Sequence, residues 1–249
     1  MGIKTTVNYS PNFSIKKRNI KNIKFAIFHY TGMKNELIAI NRLTDIKSKV
    51  SCHYFIKNSG EIITMVPDLY IAWHAGVSSW KKYNHLNKHS IGIEISNPGH
   101  NFKYKKFSNK QINSVLWLAK LLIKKFKIKP QNFLGHSDIA PSRKKDPGEK
   151  FPWQYLSKNK IGLWHDFDKK KLIQNRSLKI NDLEIKSFYK NIFKIGYSKK
   201  VPKNTSLNKA KYFKKVTKTF QSRFRQDLVN GIIDRECLII SENLTKKYD

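Results

Sequence analysis

The chain has 249 residues, 39% of them apolar, which suffices for one domain of about 160–170 residues plus a small second one, or for a single larger unit. No apolar run approaches the roughly 20 residues needed to span a bilayer, so a transmembrane helix is excluded. The net charge of +33 comes from 50 basic residues against 17 acidic ones, but only seven of the basic residues are arginine and the lysines run the whole length. Nucleic-acid readers favour arginine for forked contacts to phosphate and base. Dispersed lysine with abundant isoleucine and asparagine reads as coding bias. Weak attraction to anionic polymers or envelope surfaces is expected, and a dedicated nucleic-acid partner is not. The N-terminal MGIKTTVNYSPNFSIKK carries no apolar h-region, so no signal peptide is expected in it. Cys52 and Cys237 lie far apart in apolar contexts and read as buried free thiols.

In chain order, residues 22–30 (NIKFAIFHY) alternate, with Ile23, Phe25 and Ile27 on one face and His29 in phase at the end. This is a strand that delivers a histidine beside Tyr30. Glu36 to Lys49 carries Leu37, Ile40, Leu43 and Ile46 at three-residue intervals, the pattern of an amphipathic helix. Ser51–Ile56 and Glu61–Val66 flank Asn58-Ser59-Gly60 as a hairpin begun by His53. That histidine reads as structural, or as a cleft wall, before it reads as a ligand. WHAGVSSW at 73–80 puts Trp73, His74 and Trp80 among small residues, which suits a ligand wall, sugar included, or a buried core.

SIGIEIS at 90–96 is a further strand, with Ile91, Ile93 and Ile95 on one face and Gly92 and Glu94 on the other. A carboxylate on so apolar a strand must be paired, metal-linked or in a cleft, because an unpaired buried charge is costly. Gly92 is read as leaving room for a substrate beside it. Ser108 and Gln111 form a capping box ahead of a long core helix that ends before Pro130, and a short strand, 132–135, follows. It leads into Gly135–Gly148, GHSDIAPSRKKDPG, where Pro141 and Pro147-Gly148 argue for loop rather than helix or strand. The loop holds His136, Lys144 and Asp146. An imidazole and a carboxylate are good zinc ligands, and a catalytic zinc usually takes three protein ligands and leaves a position for water. His29 at its strand end is the third candidate.

From about Asp166 a lysine-rich linker runs to Lys179. Three helical segments are predicted beyond it, at Asp182–Ile195, Leu207–Phe224 and Asp234–Tyr248. A bundle of this kind more often binds than catalyses.

The strings FHYT, SCHYFI, AWHAGVSSW, SIGIEI and GHSDIAPSRKKDPG, spread over residues 20–165, together resemble the zinc-dependent N-acetylmuramoyl-L-alanine amidases, a family that includes the peptidoglycan recognition proteins and the amidase-type phage lysozymes. The resemblance implies a Zn2+ cofactor held by His29, His136 and Asp146, with Glu94 as general base and acid and Lys144 as oxyanion stabiliser. It implies a substrate groove walled by Tyr30, His53, Trp73, His74 and Trp80. Some relatives have a tyrosine where this chain has Cys52 and a cysteine as third ligand. Cys52 with Asp146 follows the bacterial branch with a catalytic glutamate. FQSRFRQDLVNGIIDRECLIISENL at 220–244 resembles a three-helix peptidoglycan-binding domain.

The expected fold is α/β, a mixed central sheet flanked by helices with the zinc in a surface groove, followed by a small all-α domain. The expected division is 1–165 catalytic, 166–179 linker and 180–249 peptidoglycan-binding. The implied activity is hydrolysis of the amide between N-acetylmuramic acid, intact or 1,6-anhydro, and L-alanine of the stem peptide, in the periplasm or cell envelope, or alternatively the cytoplasm. The alternatives are a zinc peptidase on substrates without a muramyl group and a non-catalytic peptidoglycan-recognition protein, which would normally have lost a ligand or the acid.

Overall fold

The structure, a computed structural model, describes residues 2–201, 203 and 208–248. Its centre is a six-stranded mixed sheet. The sheet is built from β1 (Thr5–Val7), β3 (Phe25–Tyr30), β4 (Tyr54–Ile56), β5 (Ile62–Thr64), β9 (Ser90–Ile95) and β10 (Phe133–Gly135), in the order β1-β5-β4-β9-β3-β10. Two small ribbons lie outside it, β2 (Phe13–Ser14) with β6 (Ile71–Ala72), and β7 (Ser79–Trp80) with β8 (Tyr83–Asn84). Only the β4–β5 hairpin is antiparallel within the large sheet; β3 runs parallel to both β9 and β10.

Parallel strands at the centre of a sheet are covered on both faces and read as near-continuous apolar runs. That is the sequence of β3, whose Phe25–His29 are all buried. Ala26 and Phe28 join Ile91, Ile93, Ile95 and Phe133 on one face, under α2 (Asn109–Phe126) and α4 (Trp153–Lys158). The expected capping box at the start of α2 is present with both arms, Gln111 N–H to Ser108 Oγ at 3.2 Å and Ser108 N–H to Gln111 Oε1 at 3.0 Å. The helix then buries Ile112, Val115, Leu118, Ala119, Leu122 and Phe126 against the sheet.

The opposite face carries Phe25, Ile27, His29, Gly92, Glu94, Phe55 and Ile63, and two different elements cover it. At the β4–β5 side it is α1 (Glu36–Thr44), which packs Ala39 and Leu43 on Phe55, Ile63, Cys52 and Met65. The expected stripe Leu37–Ile40–Leu43–Ile46 is not the buried one, since Leu37 and Ile46 are each 67% exposed. Three steps of three residues drift around a helix of 3.6 residues per turn, and α1 ends at Thr44 before the stripe is complete. At the β3–β10 side the cover is α6 (Asp182–Ile195), α7 (Lys209–Phe224) and α8 (Arg235–Lys247). Their Phe188, Ile192, Val216, Phe220, Ile240 and Leu244 share one buried cluster with Phe25, Ile27 and Leu134 of the sheet.

The three predicted C-terminal helices thus match the observed ones closely; the predicted start of the second, Leu207, lies outside the described residues. Segment 166–179, expected as a linker, carries α5 (Lys169–Gln174) with Leu172 buried, and its Arg176 pairs with both Asp227 and Glu236. Between α1 and the C-terminal helices the sheet face is left open over His29 and Glu94. Among the described residues no helix is long and apolar enough to cross a membrane.

Candidate metal centre and groove

Register does the first part of the assembly. His29 of β3 pairs with Glu94 of β9, so the last inward-facing residues of two parallel strands stand side by side. On the other flank Gly135 of β10 pairs with Phe28, so the chain leaves β10 next to His29 and His136 is the first residue out. The expected loop begins instead with one helical turn, α3 (His136–Ile139), before turning at Pro141. Gly135 has no freedom here, because a Cβ would lie 2.6 Å from Pro147 Cδ. Ser137 N–H donates to Asp146 O at 2.8 Å and ties the two ends of the segment together. His136 and Asp146, ten residues apart, are thereby brought to one point.

The hydrogen-bond chain behind these residues fixes where the ring hydrogens lie. Ser90 Oγ–H donates to Leu86 O at 2.6 Å, so toward His74 Nε2, 3.2 Å away, it can only accept. His74 Nε2 therefore carries the hydrogen, and in a neutral ring Nδ1 is then an acceptor. His29 Nε2 lies 3.0 Å from that acceptor and must donate, which leaves His29 Nδ1 bare. His136 Nε2 lies 3.1 Å from Ala75 O, so it too donates and its Nδ1 is bare. The two bare nitrogens are 2.9 Å apart, and Asp146 Oδ2 is 3.1 Å from the first and 3.0 Å from the second. Three lone pairs converge on one point, an arrangement that repels itself unless a cation sits among them. Two imidazole nitrogens and one carboxylate oxygen, with the second ring nitrogens anchored to an imidazole and a carbonyl, fit the donor set and outer shell that a zinc ion with an open position requires. All three residues are buried, and their ligand atoms lie within 4.8 Å of one another.

The electrostatics agree. Burial lowers the His29 pKa to about 4, with the neighbouring His136 adding to the effect, so the ring is neutral at ordinary pH. Burial drives His74 well below its ordinary value as well. Burial alone would raise the Asp146 carboxyl, but proton-bearing His136 and His29 beside it would outweigh this and hold the group well below the ordinary carboxylate range, the part a cation plays when both Nδ1 atoms are bare.

Glu94 faces the same groove. The residue is partly buried, yet its Oε2 is shielded from solvent and has no hydrogen-bond partner among the described residues. Burial pushes its pKa well up, the charge of Asp146 adds to this, and Lys144 opposes it. A carboxyl poised in that way can take up and return a proton.

The groove has a volume of about 380 Å³ and is lined by Tyr30, Trp73, His74, Glu94, Lys144 and Asp146 among others. Tyr30 Oη lies 2.9 Å from His100 Nδ1, and His100 Nε2 is 3.0 Å from Glu149, which builds one rim. Trp73 is half-buried, its indole N–H on Ser14 Oγ at 3.2 Å. Two of the expected wall residues are elsewhere. Trp80 is 2% exposed and packs edge-on to Tyr197 at 4.9 Å within the core shared with the C-terminal helices. His53 is fully buried beneath the site, its Nδ1 accepting from Gly92 N–H at 2.9 Å. Nor does Gly92 leave space for a substrate, since a Cβ there would lie 2.4 Å from His74 Cγ. The space is taken by the histidine that orients His29. Arg143, whose guanidinium donates to Ala75 O and Val77 O, and His100 also line the groove, and sequence reasoning missed both.

Residues 19–149 match the family described as N-acetylmuramoyl-L-alanine amidase, and the chain belongs to that family. It is 35% identical over 238 residues to the N-acetylmuramoyl-L-alanine amidase AmiD of Escherichia coli K12, an alignment covering 91% of this chain and 83% of that protein. The solved complex of Escherichia coli AmiD with anhydro-N-acetylmuramic acid-L-Ala-D-gamma-Glu-L-Lys superposes with a TM-score of 0.78 at 32% identity, covering 94% of this chain and 92% of the other. AmpDh3 of Pseudomonas aeruginosa gives a TM-score of 0.77 at 30% identity over 96% and 97%. The shorter 1,6-anhydro-N-acetylmuramyl-L-alanine amidase AmpD of Haemophilus influenzae is 31% identical over 59% of this chain and 88% of its own length.

Proposed function

We propose that this protein hydrolyses the amide joining the lactyl group of N-acetylmuramic acid, intact or 1,6-anhydro, to L-alanine of the peptidoglycan stem peptide, in cell-wall turnover or recycling. The observation that carries the reading is the convergence of three lone-pair ligands beside a carboxyl whose shielded Oε2 has no partner among the described residues, in a chain whose relatives are amidases of this bond. In this reading His29, His136 and Asp146 hold zinc. Zinc supplies Lewis-acid chemistry, polarising a carbonyl oxygen and lowering the pKa of water toward about 7.

The chain does the rest. Glu94, with its proton affinity raised by burial, takes a proton from the attacking water and returns it to the leaving amine of L-alanine. Lys144, on the rim of the same groove, sets a positive charge against the oxygen that becomes negative. Tyr30 and Trp73 line the groove as walls for sugar and peptide. With both ligand and acid positions filled, a purely recognising protein is the weaker reading.

The C-terminal helices, 180–249, serve in this proposal as the unit that engages the wall, joined to the catalytic unit 1–165 through 166–179. Support comes from a second groove of about 600 Å³, lined by Arg143, Lys144 and Lys145 together with Lys211, Lys214 and Lys218 of α7. It shares its cationic edge with the metal groove, and stem peptides carry carboxylates. A peptidoglycan substrate supports a place in the periplasm or cell envelope, with the cytoplasm as the alternative if the substrate is a released muropeptide.

Glu94→Gln should retain its zinc by metal analysis and lose turnover by at least about a hundredfold. Asp146→Ala should lose the metal itself. A Glu94→Gln protein of undiminished activity, or an Asp146→Ala protein with a full zinc complement, would refute the assignment concerned.

A further inference from the structure

Asp138 stands two residues beyond His136, is 1% exposed, and has no part in the chemistry above. A buried carboxylate has to be satisfied by donors, and three reach it. Gly135 N–H donates to its Oδ2 at 2.8 Å and closes the turn that presents His136. The other two come from the C-terminal region, one from the loop after α6 and one from α7. Tyr197 Oη donates to Oδ1 at 2.7 Å, and Arg223 Nη1 forms a buried ion pair with Oδ2. Arg223 is itself set in place, with Nη2 on Phe133 O at 3.1 Å and its guanidinium 4.0 Å over the Trp153 ring. Tyr197 directly follows Gly196, whose φ of +150° and missing side chain let Trp80 pack there; a Cβ would come within 2.3 Å of the indole. A third tie reaches the far side of the segment, from Lys215 Nζ to Ser142 O at 2.8 Å.

We propose that the C-terminal region, through Tyr197 after α6 and Arg223 of α7 acting on Asp138, is a positioning half of the metal centre. Two donors from one side and the Gly135 amide from the other fix the backbone between β10 and α3, which sets the distance of His136 Nδ1 from His29 Nδ1. The Ser137–Asp146 backbone bond passes the constraint to the third ligand. Ligand geometry is sensitive to such outer partners, whose loss typically weakens metal binding about 10- to 100-fold. Residues 180–249 then act on catalysis by a route separate from any contact with the wall. This inference rests on the metal-centre reading.

The test is zinc affinity of the full-length protein by competition with a chromophoric chelator, with the melting temperature of the metal-free form measured alongside. Tyr197→Phe removes one hydroxyl and keeps the packing on Trp80. Tyr189→Phe is the control, because it removes a hydroxyl of α6 that pairs with Thr217, at 3.3 Å, and has no link to Asp138 among the described residues. The expected result is a zinc Kd raised roughly tenfold in Tyr197→Phe and unchanged within about twofold in Tyr189→Phe, at similar melting temperatures of the metal-free proteins. Arg223→Lys, which keeps the charge but gives up the fork, should shift Kd in the same direction. An unchanged Kd in both Tyr197→Phe and Arg223→Lys, or equal shifts in Tyr197→Phe and its control, overturns the proposal. Failure of the wild-type protein to take up zinc overturns the metal-centre reading on which it rests, and is seen before any variant is compared.

Discussion

His74 lines the groove and is also the hydrogen-bond partner of His29. Its protonated Nε2 on Ser90 and its bare Nδ1 toward His29 decide which nitrogen of His29 faces the metal position. His74→Phe keeps an aromatic ring there but strands a buried N–H of His29, and zinc affinity should fall by roughly 10- to 100-fold in a chelator competition. Wild-type affinity in that variant would show that His29 is oriented by other means. Of the residues singled out from sequence, His29, Glu94, His136 and Asp146 were legible because each is a chemically costly residue at a strand end or in a turn-rich segment. The roles of His53, His74 and Trp80 were not, because residue type says nothing of which way a side chain in a small-residue loop turns. One missed signal was available. In a chain with seven arginines among 50 basic residues, an arginine stands out against lysine, and Arg18, Arg143, Arg176, Arg223, Arg225 and Arg235 all hold hydrogen bonds or ion pairs. A rigid fork of donors suits such places better than an ammonium.

Among the elements, β9 illustrates how register turns an apolar strand into a site. Its alternation places Ile91, Ile93 and Ile95 under α2 and leaves Gly92 and Glu94 on the catalytic face. The Glu94 side was readable from the pattern; the purpose of the glycine was not, since the ring that fills its place comes from His74, eighteen positions away. Gly92→Ala would thrust a methyl group into that ring. We expect a protein that folds with lowered stability, by about 1–3 kcal/mol as for other overpacked cores, and with weakened zinc binding, both read from thermal unfolding with and without metal. A variant that binds zinc as tightly as the wild type would mean that the ring has room to move. The α1 helix shows the limit of periodicity: three-residue spacing placed the start of the helix but carried it five residues too far, and of its stripe Ile40 and Leu43 pack on the sheet while Leu37 and Ile46 are exposed. The opening turn α3 escaped a reading based on proline and glycine, which mark where regular structure stops but not the single turn fitted before the stop.

For the molecule as a whole, the order sheet, groove and helical cover follows from which face of β3 each later segment can bury. Length and alternation made the α/β core and the three final helices readable from sequence. What no local pattern announced is that those helices complete the core on Phe25, Ile27 and Leu134 and brace the metal segment through Asp138. The Asp138 contacts join residues 59 and 85 positions apart, the core contacts of Phe25 and Ile27 join far more distant ones, and only the assembled fold specifies them. The high positive charge finds its clearest structural expression in the lysine-lined groove beside the site.

Hydrolysis of the muramyl–L-alanine amide is decided by incubating the zinc-loaded protein with a defined muramyl-tripeptide and identifying the products by mass spectrometry, with a chelated sample and a zinc-restored sample in parallel. Release of the intact peptide beginning at L-alanine is expected, abolished by the chelator and recovered with zinc. Cleavage at another bond, or no cleavage by a protein carrying stoichiometric zinc, would contradict it.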